Sequence, residues 1–239
     1  MSLIVALEGS DGLILASDSR ETIGNPRNPI NINDTSKKLF KLNNHSGIGA
    51  VGASELAATL IDKLIKQVQE LHSTDDIANI AYNIMKQENI SRFVSKHKPW
   101  ATGVAMILVD YNKLNENDYK PRIYLLSSGV YSVPLLQLCP SGYMLAGISQ
   151  YTMYLLPILY DRRMKIENLM SLAAYLISVT ATQDPGVGGP IRIASITSQE
   201  GYKEFLEEDK AIKDIRKKKR FFQKKCILID LARTYPKKR

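Results

Sequence analysis

Two short, almost wholly apolar runs open the chain, residues 3–7 (LIVAL) and 13–17 (LILAS), separated by the turn-forming cluster Gly9-Ser10-Asp11-Gly12. This pattern predicts a β-hairpin. With the turn centred between Ser10 and Asp11, opposed residues sum to about 21, which sets Leu3 against Asp18 and Ser2 against Ser19, their Cβ atoms roughly 5 Å apart. A second hairpin is predicted from KKLFKL and GIGAVG, which flank the polar turn Asn43-Asn44-His45-Ser46. Between the hairpins, Asn25-Pro26-Arg27-Asn28-Pro29 and residues 31–36 read as a polar loop. Leu56, Leu60, Leu64, Val68 and Leu71 then recur on one helical face, and Ile77, Ile80, Ala81, Ile84 and Met85 repeat the pattern after the start signal Ser73-Thr74-Asp75-Asp76. Strands are predicted over 103–110, 122–126, within 131–138 and over 143–146, a helical pair over 150–161 and 166–182, and a last strand over 191–197. That order describes an α+β fold, two packed sheets with helices on both outer faces: a four-layer αββα sandwich.

The hairpin register gathers chemistry at its open end. Removal of Met1 exposes the α-amine of Ser2, with an ordinary pKa of about 7.7–8.0, so hydroxyl and base reside on one residue. Lys38, held by the Asp18 carboxylate, is placed to keep that amine neutral by like-charge repulsion. The plainer readings are an Asp18 paired with Arg20 on a strand edge and a solvated Lys38. Residues 47–52 (GIGAVG) followed by a helical run raise a dinucleotide-binding fingerprint, but a polar turn stands where the strand should enter the first glycine. His45, His72 and His97 lack ligand spacing and neither Cys139 nor Cys226 lies in a metal or redox pattern, so no metal and no cofactor is expected. The stretch His97-Lys98-Pro99-Trp100 reads as a loop anchored by the sole tryptophan.

An N-terminal nucleophile, then DG-LILA-D-R, KKLFKL and GAVG, in that order and spacing, resembles the β subunits of the proteasome core particle and their bacterial and archaeal relatives. The resemblance runs from Ser2 to about Gly201 and implies the αββα fold of N-terminal-nucleophile hydrolases. It implies that Ser2 stands in the place of the family's catalytic threonine and that Asp18 and Lys38 are the acid and lysine of the site. It implies further that Thr22 contacts substrate backbone, that the Gly52 amide contributes to the oxyanion hole, and that Asp184 in TQDPGVGG is the aspartate of RDxxSGG. Two departures stand out. The serine of that last motif is Val187 here, and the family's GSG reads Gly147-Ile148-Ser149, which leaves Ser149, one residue displaced, as the replacement for a second serine. A plainer reading of Asp184 is a cap on the turn before Pro185.

The implied activity is peptide-bond cleavage through an acyl-enzyme on Ser2, with a peptide or protein substrate and self-assembly into a homo-oligomer. The alternatives are a transpeptidase using the same nucleophile and a catalytically inactive assembly or binding subunit. Activation is expected to need only removal of Met1, and a cytoplasmic location is expected, since no signal peptide precedes the first strand and no apolar run reaches the roughly 20 residues of a membrane span. The net charge of +8 is local: between Lys210 and Lys225 stand nine basic residues against Asp214 alone. The expected division is therefore a catalytic domain over 1–202 and a basic, helical extension over 203–239. That extension, with apolar Ile212, Ile215, Phe222, Ile227 and Leu231, reads as a solvated helix packed on the domain or a neighbouring subunit, as a patch for an acidic partner or phosphate backbone, or as a membrane-surface helix.

Overall fold

A computed structural model describes residues 2–25, 28–70, 72–94, 103–115, 118–128 and 133–205. In chain order the elements are β1 (Leu3–Glu8), β2 (Leu13–Ser17), β3 (Glu21–Asn25), β4 (Asn28–Asn33), β5 (Leu39–Lys41), β6 (Ser46–Gly52), α1 (Ser54–Gln67), α2 (Thr74–Val94), β7 (Val104–Asn115), β8 (Asp118–Ser127), β9 (Leu135–Leu138), β10 (Tyr143–Gly147), α3 (Leu156–Leu159), α4 (Ile166–Gln183), β11 (Arg192–Thr197) and β12 (Gly201–Phe205). They form two antiparallel five-stranded sheets, ordered β10-β1-β2-β11-β12 and β5-β6-β7-β8-β9, and a separate β3-β4 ribbon.

The first strands read as unbroken apolar runs because both of their faces are buried. From β1 and β2, Leu3, Val5, Leu7, Ile14 and Ala16 pack with α4, while Ile4, Ala6, Leu13 and Leu15 turn the other way into the layer between the sheets. The second sheet divides likewise. Ile48, Ala50, Val104, Met106 and Leu108 meet Leu56, Leu60 and Leu64 of α1 and Ile77, Ala81 and Met85 of α2, whereas Val51, Ile107 and Val109 join the inter-sheet layer. Three apolar layers between four tiers of structure make the αββα sandwich. Helix α2 begins at the expected signal, with Ser73 and Asp76 capping each other: the Ser73 N–H donates to Asp76 Oδ2 at 3.0 Å and the Asp76 N–H to Ser73 Oγ at 3.2 Å.

Three local expectations are corrected. The loop expected over 25–36 is largely the β3-β4 ribbon; its polar composition reflects exposure, with Ile23 and Ile32 about half exposed, so no burial pattern marks it. The helix expected over 150–161 is reduced to four residues, because Pro157 offers no N–H to an earlier turn and disfavours helix before it. GIGAVG is strand, as the second hairpin requires, with a Cβ at Gly49 only 2.9 Å from Ile4 Cδ1, so this glycine serves close sheet packing. Finally, the domain continues past residue 202. Lys203, Glu204 and Phe205 pair with Ser195, Ala194 and Ile193, tertiary pairing overriding the helical appearance of the local sequence. The rest of the extension, Trp100 and the His97-Lys98-Pro99 stretch lie outside the described residues.

On β7, opposite the first residue of β6, a buried carboxylate ties sheet to helices. Asp110 Oδ1 lies 2.6 Å from His45 Nδ1, its Oδ2 accepts from the Thr74 hydroxyl, and His45 Nε2 lies 3.0 Å from the Glu70 carbonyl. The hydrogen bond to Asp110 chiefly holds the His45 pKa above its ordinary value. A folded-state pKa above that of the unfolded chain stabilises the protein fully below about pH 6.5 and is lost as pH rises through the folded value. The expected result is a denaturant midpoint that falls between pH 6 and 9 more in the wild type than in His45→Gln. Parallel curves would remove the imidazolium from the account.

Candidate active site

The hairpin register is the one anticipated: Ile4 pairs with Ser17 and Val5 with Ala16, and the Asp18 N–H donates to the Leu3 carbonyl at 3.4 Å. Asp18 therefore enters the interior beside Ser2. Its Oδ1 accepts from the Leu3 N–H at 3.0 Å and Lys38 Nζ at 2.9 Å, and its Oδ2 from the amides of Arg20 and Gly188, both at 3.1 Å. Four donors converge on a fully buried carboxylate, which fixes its position.

Lys38, immediately before β5, is likewise buried. Its three ammonium protons have three acceptors: Ser2 Oγ at 2.6 Å, Asp18 Oδ1 at 2.9 Å and the Arg20 carbonyl at 2.6 Å. Desolvation pushes its pKa below that of an ordinary lysine, against the opposing pull of Asp18. Ser2 Oγ also donates to the Arg20 carbonyl at 3.4 Å. Ser2, Asp18 and Lys38 thus form one constellation, and neither plain reading describes it, because Arg20 pairs with another residue.

That residue is Asp34, beyond the β3-β4 ribbon. Arg20 Nε and Nη2 donate to its two oxygens at 2.7 and 2.9 Å, Nη1 donates to the Pro185 carbonyl at 3.0 Å, and the guanidinium lies on Gly188, where a Cβ would be 2.6 Å from Cζ. This clamp fastens the segment whose carbonyl receives Lys38. Arg20, Asp34 and Gly188 were not among the candidates; the Gly188-Gly189 pair of PGVGG was the available signal for Gly188, and nothing local marks Asp34.

The remaining candidates are placed unevenly. Asp184 Oδ1 accepts from the Gly186 N–H at 2.8 Å and its carbonyl from the Val187 N–H at 3.1 Å, so it shapes the turn that delivers the Gly188 amide to Asp18, as the plain reading had it. Val187 is core, packed with α4 and β1. Thr22 lies on β3 opposite Ile32, its Oγ1 buried without a partner among the described residues. Ser149 follows Ile148, whose N–H donates to the Ser2 carbonyl at 2.8 Å, and its own carbonyl caps a turn by accepting from the amides of Thr152 and Met153. Gly52, with φ +114°, closes β6 against Gly103 and, with Ser2, lines a cavity of about 420 Å³. Among the described residues no group of three His, Cys, Asp or Glu side chains is placed to hold a metal ion, and no helix is long and apolar enough to cross a membrane.

The model of the family described as proteasome subunit matches residues 2–196. This chain belongs to the proteasome subunit family. A proteasome subunit beta of Methanopyrus kandleri is 23% identical over 208 residues, covering 86% of this chain and 91% of that one. Among solved structures, Anbu (ancestral beta-subunit) from Yersinia bercovieri superposes with a TM-score of 0.68 at 17% identity, covering 99% of both chains. A helical assembly of the Anbu complex from Pseudomonas aeruginosa gives 0.67 at 18% identity, covering 99% of this proteasome-family chain and 98% of that one. At these identities the structural likeness speaks for the fold.

Proposed function

We propose that this proteasome-family chain is an N-terminal-nucleophile peptidase in which Ser2, freed of Met1, attacks the carbonyl of a peptide bond. The observation that carries the reading is the buried Lys38 ammonium, 2.6 Å from Ser2 Oγ and 2.9 Å from Asp18 Oδ1. As the Oγ–carbon bond forms, the hydroxyl proton passes to the α-amine of Ser2, and Lys38 stabilises the charge gathering on Oγ. The adjacent cation also disfavours protonation of that amine, so it remains a base near neutral pH. The Gly52 amide is assigned to the developing oxyanion, where removal of one comparable donor costs about 3–4 kcal/mol in other enzymes. Collapse breaks the C–N bond, the amine returns the proton to the leaving nitrogen, and water then hydrolyses the ester, regenerating Ser2. Thr22, on β3, is assigned to the substrate backbone. Asp184 supports the site through the Gly188 turn, and Ser149 through the turn that follows Ile148. Self-assembly belongs to the same reading, supported by the helical assembly of the Anbu complex.

The test is the intact mass of the protein before and after an electrophilic β-lactone, with Ser2→Ala as control. Loss of Met1 and a single adduct absent from Ser2→Ala are expected. Retained Met1 with no adduct would favour an inactive assembly subunit, because a blocked amine cannot serve as the base.

A further inference from the structure

The β3-β4 ribbon begins its pairing with Glu21 opposite Asn33, and the next positions outward in that register are Arg20 and Asp34. Their side chains close the base of the ribbon with two parallel hydrogen bonds, Nε to Oδ1 at 2.7 Å and Nη2 to Oδ2 at 2.9 Å. A fork of this kind fixes orientation as well as distance between the two backbones that carry it. Asp34 stands four residues ahead of Lys38. Arg20 supplies the carbonyl that accepts from Lys38 Nζ at 2.6 Å and from Ser2 Oγ at 3.4 Å. One side-chain pair therefore joins the segment that carries the ammonium to the segment that receives it.

A third segment meets the same pair. Arg20 Nη1 donates to the Pro185 carbonyl at 3.0 Å, the Ser19 N–H donates to the Gly188 carbonyl at 3.0 Å, and the Ser36 N–H donates to the Ser19 carbonyl at 3.0 Å. A Cβ on Gly188 would lie 2.6 Å from Arg20 Cζ, and one on Gly189 would lie 2.9 Å from the Asp34 carbonyl oxygen, so the glycine pair lets this turn rest against both residues. The turn is also where the chain departs from the motif it resembles. Val187 replaces the motif's serine and is buried with α4 and β1, so it brings no hydroxyl to the site. What the turn does bring is the Gly188 amide, 3.1 Å from Asp18 Oδ2. That amide steadies the carboxylate that pairs with Lys38, and Arg20, gripped by Asp34, steadies the turn.

We infer that Asp34 is a positioning residue for the reaction: through Arg20 it fixes the Arg20 carbonyl and the Gly188 turn, and with them the place of Lys38 beside Ser2 Oγ. The inference rests on the Ser2 nucleophile proposed above. In this chain a half-exposed ion pair at the base of the ribbon supplies support that a serine at position 187 would otherwise lend. The Asp34 charge acts on Lys38 as well. The groups that face the ammonium are the carboxylates of Asp18, Glu21 and Asp34, which hold its pKa up against burial, and the Ser2 α-amine, which opposes them.

The experiment follows acylation by a β-lactone bearing a single methyl group, against probe concentration and pH, in the wild type, Asp34→Asn, Asp34→Ala and Asp34→Glu. The saturating rate reports the chemical step and the half-saturating concentration reports probe binding. The saturating rate is expected to fall about tenfold in Asp34→Asn, which keeps one acceptor for the guanidinium, and about 10²-fold in Asp34→Ala, the scale of a displacement of about 1 Å. The half-saturating concentration should stay within about twofold of the wild type, and Asp34→Glu, which restores the carboxylate, should recover most of the rate. Loss of the Asp34 charge lowers the Lys38 pKa further, so the alkaline decline of acylation should begin at lower pH in Asp34→Asn than in the wild type. Urea midpoints should barely move, because exposed ion pairs contribute little to stability. Circular dichroism establishes that each variant is folded. Folded Asp34→Asn and Asp34→Ala that acylate at the wild-type rate with an unmoved alkaline limb would overturn the role of Asp34 and leave the nucleophile standing. A rate loss matched by a large fall in the urea midpoint, with the alkaline limb unmoved, would make the pair a structural brace and overturn the inference likewise. A wild type that forms no Ser2-dependent adduct would overturn the nucleophile, and the positioning role with it.

Discussion

Lys38→Met is expected to lose about 10³-fold in the rate of Ser2 acylation and to lower unfolding stability by about 3 kcal/mol. The first figure follows from removing the cation in contact with Ser2 Oγ, comparable in effect to removing a preorganised donor aimed at developing charge. The second follows from breaking a buried ion pair by removing one partner, which typically costs about 3–5 kcal/mol. The lower end applies here because the Asp18 carboxylate keeps the amides of Leu3, Arg20 and Gly188. Activity and stability should therefore fall together, measured by probe mass and by urea unfolding. A folded variant that acylates at the wild-type rate makes Lys38 a bystander. The pH dependence has a definite sign. Because burial lowers the Lys38 pKa, the catalytic ammonium is lost on the alkaline side at a lower pH than an ordinary lysine near 10.4 would be. Folding responds oppositely: between the folded and unfolded values the unfolded chain holds more protons, so this residue's contribution to stability rises with pH across that window. The acylation rate should decline there while the Lys38-dependent part of stability increases.

The site was legible in the sequence where one hairpin carries it and obscure where distant segments meet. The apolar runs LIVAL and LILAS and the turn between them determine a register, and the register alone puts Asp18 beside Ser2. The two-faced burial of these strands also follows from their lack of polar alternation. The β3-β4 ribbon gave no such signal, because its apolar residues Ile23 and Ile32 stand about half exposed and impose no hydrophobic period. Asp34 became visible as a partner of Arg20 only through that ribbon, since nothing in local sequence relates residues 14 apart across an unrecognised hairpin. Asp184 carried a motif resemblance, yet its carboxylate is spent on the Gly186 amide, and its influence reaches Asp18 by way of Gly188. Motif position identified the segment that matters there, and hydrogen bonding identified the atom.

Gly147→Ala is expected to disable the nucleophile without touching it. The residue has φ +90°, strained for any side chain, and an added Cβ would lie 2.0 Å from the carbonyl oxygen of Ser2. That oxygen also accepts the Ile148 N–H at 2.8 Å, so the backbone of Ser2 is pressed and pinned by the end of β10. Relief requires β10 or the first residues of β1 to move. The strand pairing from Leu3↔Gly147 to Leu7↔Tyr143 and the fully buried β1 side chains resist a shift of the whole strand. The displacement therefore concentrates at Ser2, where Oγ must stay within reach of Lys38. A misplacement of about 1 Å is worth about 10²-fold in rate, and backbone strain of this kind costs about 1–3 kcal/mol. Probe acylation should fall by at least two orders of magnitude while urea unfolding shows a loss of that modest size, less than for Lys38→Met. Acylation at the wild-type rate in folded Gly147→Ala would mean that contact between β10 and Ser2 does not govern the position of the hydroxyl. Since Ser2 is held by β10 on one side and by Asp18, Arg20 and Lys38 on the other, the two variants probe the two halves of a single restraint.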